Sequence, residues 1–225
     1  MSSFTTQLDG AINQYALLQH PFYQAWNNGT LSMEALREYA KQYYQFEKAF
    51  PTFVSQVHAN TTDATARKHL LENLIEEERG EVNHPELWLR FSDALGLSRD
   101  DVKNAEVMPE TEALIATMRE LTRNGDALEG LSALYGYESQ IPEVSITKID
   151  GLTKHYAITD DRALSFFKVH AEVDQWHRSS EQEMIEAAAT TPDDQLRATK
   201  AATRSAKAMY GMLTGITTRF AISCN

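Results

Sequence analysis

The segment HAEVDQWH, residues 170–177, carries two histidines and an aspartate at spacings that a helix turns to one side. At roughly 100° per residue, Asp174 lies about 40° round the helix from His170, and His177 lies about 20° back from His170. Imidazole and carboxylate groups aimed at one point can bind a metal ion. These three residues are therefore either part of a solvated polar face or a set of metal ligands. Candidate ligands elsewhere in the chain would favour the second interpretation.

A second pair of candidate ligands lies in LIEEERGEVNHPELW. Glu77 and His84 are seven residues apart and would lie about 20° from eclipsed on a continuous helix. Glu81 stands three residues before His84 and imitates the Glu-x-x-His motif of ferritin-like proteins. The spacing alone leaves both glutamates open as partners of His84.

A third candidate is Glu138, which sits in the apolar and aromatic segment YGYESQIPE just before Pro142. A buried carboxylate needs a partner, which could be a metal ion or an arginine, because burying an unpaired charge is expensive. Taken together, three helices would supply three carboxylates and three imidazoles, which suits two metal ions in a helical bundle. The single cysteine, Cys224, is next to the last residue, so the donors are nitrogen and oxygen, as iron and manganese accept.

Composition restricts the classes of protein that could hold such a site. The chain has 225 residues, 42% of them hydrophobic, and a formal charge of -11. That charge argues against nucleic acid and anionic membranes as partners, because both reward clustered lysine and arginine. We find no secretory signal and no apolar run long enough to span a bilayer, so we expect a soluble cytoplasmic protein.

Apolar residues recur at intervals of three and four, and glycine and proline are scarce, which predicts an all-α protein. We expect one domain over residues 1–225, built as a helical bundle of about seven main helices. Ser32 is a plausible cap for the third helix, and kinks or interruptions are expected at Pro51 and Pro142. The predicted helices cover about 4–19, 21–27, 33–59, 62–82, 85–95, 109–123, 126–150, 160–189 and 193–221.

These residues resemble the heme-oxygenase-like dinuclear oxidases, in the branch of the chlamydial protein associating with death domains and its bacterial relatives. The resemblance covers nearly the whole chain and rests on HPFYQAW, EEERGEVNH, YGYESQIPEVSITKIDGL and HAEVDQWH. The pyrroloquinoline-quinone biosynthesis protein C relatives are more distant. The resemblance implies a heme-oxygenase-like fold and favours Glu77 over Glu81. The ligands that it implies for two metal ions are Glu77, His84, Glu138, His170, Asp174 and His177.

The branch that this chain resembles contains self-sacrificing p-aminobenzoate synthases, which excise their own tyrosine side chain to make the folate precursor. By that resemblance Tyr23 is the consumed tyrosine, Lys148 the amine source, and Tyr137 a further aromatic residue near the metals. Phe166 occupies a position where the family commonly has tyrosine, so a radical relay through a hydroxyl at residue 166 is in doubt. The implied cofactors are a diiron or iron–manganese centre, dioxygen and an external reductant. A homodimer is compatible with the sequence.

Two other functions remain open on the sequence alone. The same metal centre could oxidise a diffusible small molecule, with Tyr23 merely lining its pocket. Alternatively, the chain could be a metal-binding protein-interaction module, although such a module has no need of six aligned ligands. On its own, Tyr23 could be a packing residue and Lys148 a solvated or snorkelling lysine.

Overall fold

Helices form the regular secondary structure of the part of the chain that the structure describes. The computed structural model describes the backbone of residues 3–222 and the side chains of residues 4–171 and 177–222. No helix in these ranges is long and apolar enough to cross a membrane. In chain order the helices are α1 (Ser3–Ile12), α2 (Pro21–Asn27), α3 (Met33–Glu47), α4 (Phe50–Asn60), α5 (Ala64–Glu78), α6 (His84–Ala94), α7 (Arg99–Lys103), α8 (Pro109–Arg123), α9 (Ala127–Glu138), α10 (Ile141–His155), α11 (Asp161–Ala188) and α12 (Pro192–Arg219).

The all-α prediction is confirmed, but the described residues form twelve α-helical segments where about seven main helices were expected. The predicted first helix, residues 4–19, ends at Ile12 and continues as two short 3-10 turns. The short helix α7 was not predicted. It begins where the Ser98 side chain accepts a hydrogen bond from the Asp101 backbone N–H, a local cap that a search for long periodic segments overlooks. Ser32 caps α3 as expected.

Prolines turn both expected kinks into complete helix breaks. The predicted helix 33–59 divides between Glu47 and Phe50, and the predicted helix 126–150 divides between Glu138 and Ile141. Pro51 and Pro142 have no N–H to donate to the carbonyl four residues earlier, and those carbonyls belong to Glu47 and Glu138. Each of these two helices therefore ends on a buried glutamate.

The predicted helix 62–82 ends earlier, at Glu78. The side chain of Asn83 accepts a hydrogen bond from the Glu86 backbone N–H, and Pro85 follows in the first turn of α6. This cap and proline start a new helix at His84. Glu77 and His84 are therefore on two helices joined by a turn, and not on the continuous helix that their spacing suggested.

The buried apolar side chains of all twelve helices form one continuous core. Helix α9 lies inside it, in contact with α4, α8, α11 and α12, while α11 also contacts α5, α6 and α10. Helix α9 approaches α12 closely at Gly136, where a Cβ atom would lie 2.4 Å from the Ala202 carbonyl oxygen. Because residue 136 has no side chain, α9 packs directly against α12 two residues before Glu138. This contact fixes the position of the C-terminal end of α9.

We predict that Gly136→Ala destabilises the protein by about 1–3 kcal/mol, because the added methyl group overlaps a backbone that cannot yield cheaply. Gly211→Ala is the matched control in α12, since a Cβ there meets no atom within 4 Å. It should leave stability unchanged or raise it by up to about 1 kcal/mol. Urea unfolding gives both values, and a Gly136→Ala variant as stable as the control would refute this account of the α9–α12 contact.

Candidate functional site

The first group of candidate ligands lies where the ends of α3, α5 and α6 meet the middle of α11. Glu77 Oε1 lies 2.9 Å from His84 Nδ1, and both side chains are buried. The ring of His84 is 4.5 Å from that of His170. One ligand atom from each of Glu47, His84 and His170 lies within 4.8 Å of the other two. These four side chains could surround one metal ion.

The orientation of His170 is fixed by its own helix. Its Nδ1 is 2.8 Å from the Phe166 carbonyl oxygen, and because a carbonyl only accepts, Nδ1 carries the hydrogen. Burial, with the neighbouring His84 as a smaller cause, holds the pKa of His170 well below its usual value. The imidazole is therefore neutral, and its Nε2 lone pair is available to a metal ion.

The second group surrounds Glu138 at the end of α9. Its Oε1 accepts a hydrogen bond of 3.1 Å from Asn73 Nδ2 and lies 3.5 Å from His177 Nδ1. Burial alone would raise the pKa of Glu138, but hydrogen bonds with His177, Glu181 and Asn73 lower it overall. The other ring nitrogen of His177 is 3.0 Å from the carboxylate of Glu76, so this histidine is held between two glutamates.

Charge interactions join the two groups into one site. Burial raises the pKa of Glu47 to about 8, with Glu77 and Glu138 adding to the shift. Burial lowers the pKa of His84, but the adjacent Glu77 outweighs it and the net value rises to about 9. Within the described residues, one oxygen of each of Glu47, Glu77 and Glu138 has no hydrogen-bond partner.

Buried carboxylate oxygens without partners are costly, and bound cations relieve that cost. The donors here are carboxylates and imidazoles, a set that suits iron and manganese. The residues present thus fit a metal centre, as their chemistry led us to expect.

The structure brings together five of the six predicted ligands, namely Glu77, His84, Glu138, His170 and His177. The side chain of the sixth, Asp174, lies outside the described residues. Glu81, the rival partner of His84, is exposed in the turn between α5 and α6. The assignment of the six as metal ligands stays a prediction.

Glu47 was missed by the sequence analysis. It has no histidine at a helical spacing, which was the signal used for the other ligands. A different signal was present, because Glu47 and Glu138 share the pattern Glu-x3-Pro in EKAFP and ESQIP. In both, the proline ends the helix at the glutamate and leaves its carboxylate at a helix terminus inside the core.

A tyrosine–lysine cluster, formed by Tyr23, Tyr39 and Lys148, lies in the core beside the candidate ligands. The hydroxyl oxygens of Tyr23 and Tyr39 are 3.0 Å apart, and Lys148 Nζ donates a 2.7 Å hydrogen bond to the Tyr39 hydroxyl. Lys148 Nζ is 5.3 Å from the centre of the Tyr23 ring. Tyr23 and Lys148 are each 2% exposed, so Lys148 is neither solvated nor snorkelling.

Close packing of α10 against α2 brings Lys148 to Tyr23. A Cβ atom on Gly151 would lie 2.5 Å from the Trp26 ring, so only glycine permits this approach. Trp26 Nε1 also donates to the Lys148 carbonyl oxygen at 3.3 Å. Burial lowers the pKa of Lys148 to about 7, although the negative charge of Glu47 acts in the opposite direction. Burial also raises the pKa of Tyr23.

Two further tyrosines connect the cluster to the end of α9. The hydroxyls of Tyr43 and Tyr137 hydrogen-bond to each other, and the ring centres of Tyr39 and Tyr43 are 5.4 Å apart. Tyr137 directly precedes Glu138 in the sequence. Phe166 instead stacks on the His170 ring at 4.0 Å. The phenols thus run from Glu138 to Tyr23 without a hydroxyl at residue 166.

Several known proteins are similar to this chain in sequence. Residues 37–210 match the family described as iron-containing redox enzymes. The chain is 42% identical to a 4-aminobenzoate synthase of Nitrosomonas europaea, covering 96% of this chain and 91% of that protein. It is 40% identical to a 4-aminobenzoate synthase of Chlamydia pneumoniae over 83% of each protein. A pyrroloquinoline-quinone synthase of Klebsiella pneumoniae is more distant, at 23% identity over 67% of this chain and 61% of that protein.

Solved structures share the fold. A TenA homologue from Pseudomonas syringae superimposes with a TM-score of 0.85 at 20% sequence identity, covering 96% of this chain and 93% of that one. A protein with a heme oxygenase-like fold from Shewanella denitrificans gives a TM-score of 0.83 at 18% identity, covering 98% and 94% of the two chains. The expected heme-oxygenase-like bundle is thereby confirmed.

The buried amine of Lys148 should make stability depend on pH. The unfolded chain keeps this proton up to the ordinary lysine pKa, whereas the folded protein loses it above about pH 7. Relative to Lys148→Met, wild-type stability should therefore rise between about pH 7 and about pH 9 by roughly 1.4 kcal/mol per pH unit. Below that range the difference should be constant. Urea unfolding across this range measures it.

Lys207→Met provides the control for the loss of a lysine, because Lys207 is exposed on α12. That variant should follow the wild-type pH dependence. A pH-independent difference between wild type and Lys148→Met would mean that Lys148 keeps its proton in the core.

Proposed function

The chain belongs to the family of iron-containing redox enzymes, and from that premise we propose that it is an oxygen-dependent dinuclear oxidase that makes p-aminobenzoate from its own Tyr23. The relatives named 4-aminobenzoate synthase support the product. The observation that carries the self-sacrificing reaction is the contact between Tyr23 and Lys148. These residues are 125 positions apart, yet they are buried together with Nζ 5.3 Å from the centre of the phenol ring.

The atoms of the product are available within this cluster. p-Aminobenzoate needs a six-carbon ring and one carboxylate carbon, which the ring and Cβ of Tyr23 provide. The bond between Cα and Cβ breaks, and Cβ is oxidised to the carboxylate at the expense of dioxygen. The Lys148 nitrogen replaces the phenolic oxygen on the ring, and that oxygen leaves as water. Dioxygen and the reductant then oxidise Lys148 Cε to an aldehyde, which breaks the Nζ–Cε bond and releases the free amine. An external reductant supplies the remaining electrons.

The metal ions would be held by Glu77, His84, Glu138, His170 and His177, together with Asp174, which the family resemblance adds. Glu47 is a further donor beside His84 and His170. When bound, a dinuclear iron or iron–manganese centre supplies oxidising power from dioxygen. Two divalent ions carry four positive charges, which would neutralise the buried carboxylates.

The residues of the cluster do the positioning. Tyr23 reacts without being captured from solution, so the entropic cost of binding a substrate is absent. Tyr39 lies between the two reacting groups and can pass the phenolic proton of Tyr23 toward Lys148. Because the pKa of Lys148 is lowered to about 7, a large part of the amine is neutral near neutral pH and available as a nucleophile or a proton acceptor.

Tyr137 takes part as a connecting phenol in this proposal. Its hydrogen bond to Tyr43, and the packing of Tyr43 on Tyr39, give a continuous aromatic path from the end of α9 to Tyr23. This path avoids residue 166, so the phenylalanine at that position is no obstacle to oxidation of Tyr23.

We predict that Tyr23→Phe binds metal normally and yields no p-aminobenzoate, because a phenyl ring lacks the readily oxidised phenolic O–H. Tyr44→Phe is the matched control on α3, since Tyr44 lies outside the cluster and close to Glu86 and Arg99. Protein made with ring-labelled tyrosine, then loaded with iron, reduced and exposed to oxygen, should release labelled p-aminobenzoate. The yield should not exceed about one molecule per chain.

Mass spectrometry of the spent protein should find the loss at position 23 and an altered Lys148. Unlabelled product, or product from Tyr23→Phe, would reject self-sacrifice. Repeated turnover of an added small molecule with Tyr23 intact would instead support the diffusible-substrate oxidase.

The ligand assignment is tested by metal content. Glu77→Ala, Glu138→Ala and His170→Ala should each lose most bound iron and all oxygen-dependent product, while circular dichroism remains helical. Glu81→Ala is the matched control and should bind iron as the wild type does, because Glu81 is exposed. Equal loss of iron from Glu81→Ala and Glu77→Ala would contradict the assignment.

A further inference from the structure

Trp26 lies between the tyrosine–lysine cluster and the protein surface. Its ring centre is 6.2 Å from that of Tyr23 and 5.7 Å from that of Tyr39. All three of these rings are buried. The ring centre of Trp26 is also 6.4 Å from that of Tyr156, which follows the last residue of α10 and is partly exposed. A single indole therefore connects a surface phenol to the buried phenols of the cluster.

Hydrogen bonds and close packing hold the rings of Trp26 and Tyr156 in place. Trp26 Nε1 donates to the Lys148 carbonyl oxygen at 3.3 Å, and a Cβ atom on Gly151 would lie 2.5 Å from the indole ring. The hydroxyl of Tyr156 accepts a hydrogen bond of 3.1 Å from the Leu31 backbone N–H. The ring contacts are therefore fixed parts of the fold.

The types of these side chains suit the transfer of single electrons. Phenol and indole rings are the side chains that lose one electron most readily, and transfer between such rings needs close contact but no channel. The rings of Tyr156, Trp26, Tyr23 and Tyr39 are within the distance of aromatic contact at each step. A reductant in solution cannot touch the buried rings, whereas it can touch Tyr156.

Other partly exposed tyrosines lie elsewhere. Tyr15 and Tyr210 are on the surface near the start of the chain and on α12. Their ring centres are 5.9 Å apart, and Tyr210 also contacts the His20 ring at 4.3 Å. These contacts form a separate aromatic group, so Tyr210 can serve as a control for Tyr156.

We propose that Tyr156 and Trp26 carry single electrons from a one-electron reductant in solution to the tyrosine–lysine cluster. After a phenol of the cluster has been oxidised, Trp26 gives it one electron and Tyr156 gives one electron to Trp26. The reductant then gives one electron to Tyr156. This inference rests on the proposed function, because that reaction oxidises the cluster and needs an external reductant.

Protons and electrons balance over these steps. When Tyr39 loses an electron, its proton moves to Lys148 Nζ, 2.7 Å from the hydroxyl oxygen, and it returns when the electron arrives. Tyr156 releases its proton to water when it gives up an electron and takes one back when it is reduced. The net result is that the reductant loses one electron and the phenol of the cluster is restored.

The first test starts from the surface and needs no metal ion. Flash-generated tris(bipyridine)ruthenium(III), a one-electron oxidant too large to enter the core, oxidises exposed tyrosines of the metal-free full chain. Wild-type protein should then form a long-lived tyrosyl radical, measured by electron paramagnetic resonance, because a buried phenol is shielded from radical coupling. Tyr156→Phe should lose most of this signal, since a phenyl ring is not oxidised. Tyr156→Trp should restore it.

The two substitutions at residue 156 separate electron transfer from a structural effect. Both remove the hydrogen bond from Leu31, but only tryptophan can still be oxidised. Tyr210→Phe is the matched control and should give the wild-type signal. A long-lived signal in Tyr156→Phe equal to that of the wild type would overturn the route. Absence of the signal from the wild type, or no recovery in Tyr156→Trp, would also overturn it.

The second test asks whether the proposed reaction uses this route. Iron-loaded protein is exposed to oxygen with limiting ascorbate as the one-electron reductant. Tyr156→Phe should form p-aminobenzoate about tenfold more slowly than the wild type at equal iron content, because a step of electron transfer is lost. The wild-type rate in Tyr156→Phe would overturn the role of Tyr156 and leave the proposed reaction standing. Absence of product from the wild type, with the radical still formed in the metal-free chain, would reject the proposed reaction and support the route alone.

Discussion

The structure depends on the burial of several carboxylates and imidazoles in an otherwise apolar and aromatic core. Each buried charge is costly unless an opposite charge, a hydrogen bond or a metal ion compensates it. The protein supplies part of this compensation through the contact of Glu77 with His84 and through the bonds that Asn73, His177 and Glu181 make to Glu138. The carboxylate oxygens that remain without partners in the described residues can be compensated by protonation, as the raised pKa of Glu47 favours, or by a bound cation. A metal centre, as we propose, would supply the positive charge that the side chains around these carboxylates do not.

The same low polarity governs the tyrosine–lysine cluster. Burial lowers the pKa of Lys148 and raises the pKa of Tyr39 and Tyr43, so an amine and several phenols can coexist in their neutral forms. In contact with water, the Lys148 amine would be protonated like that of an ordinary lysine. Water molecules would also compete for the hydrogen bonds of the tyrosine hydroxyls. Glu47 acts on both regions, since its charge interacts with Glu77 and His84 on one side and with Lys148 on the other. The buried glutamates of the candidate site and the Lys148 amine are therefore electrostatically linked.

Much of this arrangement could be predicted from local patterns in the sequence, whereas the rest depends on contacts between distant segments. Apolar periodicity predicted the helices, and the helical spacing of His170 and His177 placed both on one face of α11. Glu77 and His84 meet although a turn separates them. Their spacing left Glu81 equally open as the partner of His84, and only the family resemblance favoured Glu77. The position of Glu47 depends on where Pro51 ends a helix, which the expected kink did not capture. The burial of Lys148 depends on aromatic side chains from α2, α3, α6 and α11, and no local pattern contains that information.

The packing around Tyr23 bears on which molecule is oxidised. A diffusible aromatic substrate that used the Lys148 amine would need a space beside Nζ, and the rings of Tyr23, Tyr39 and Tyr43 already pack around that atom. Tyr39 touches Tyr23 and Lys148 through its hydroxyl, so a guest molecule would have to displace it and break both hydrogen bonds. Two cavities between α5 and α11 are lined by other residues and by none of these three tyrosines. A reactant built into the chain needs no opening in the aromatic side of the core. The aromatic side of the core can therefore exclude water, and the exclusion of water keeps the Lys148 amine neutral.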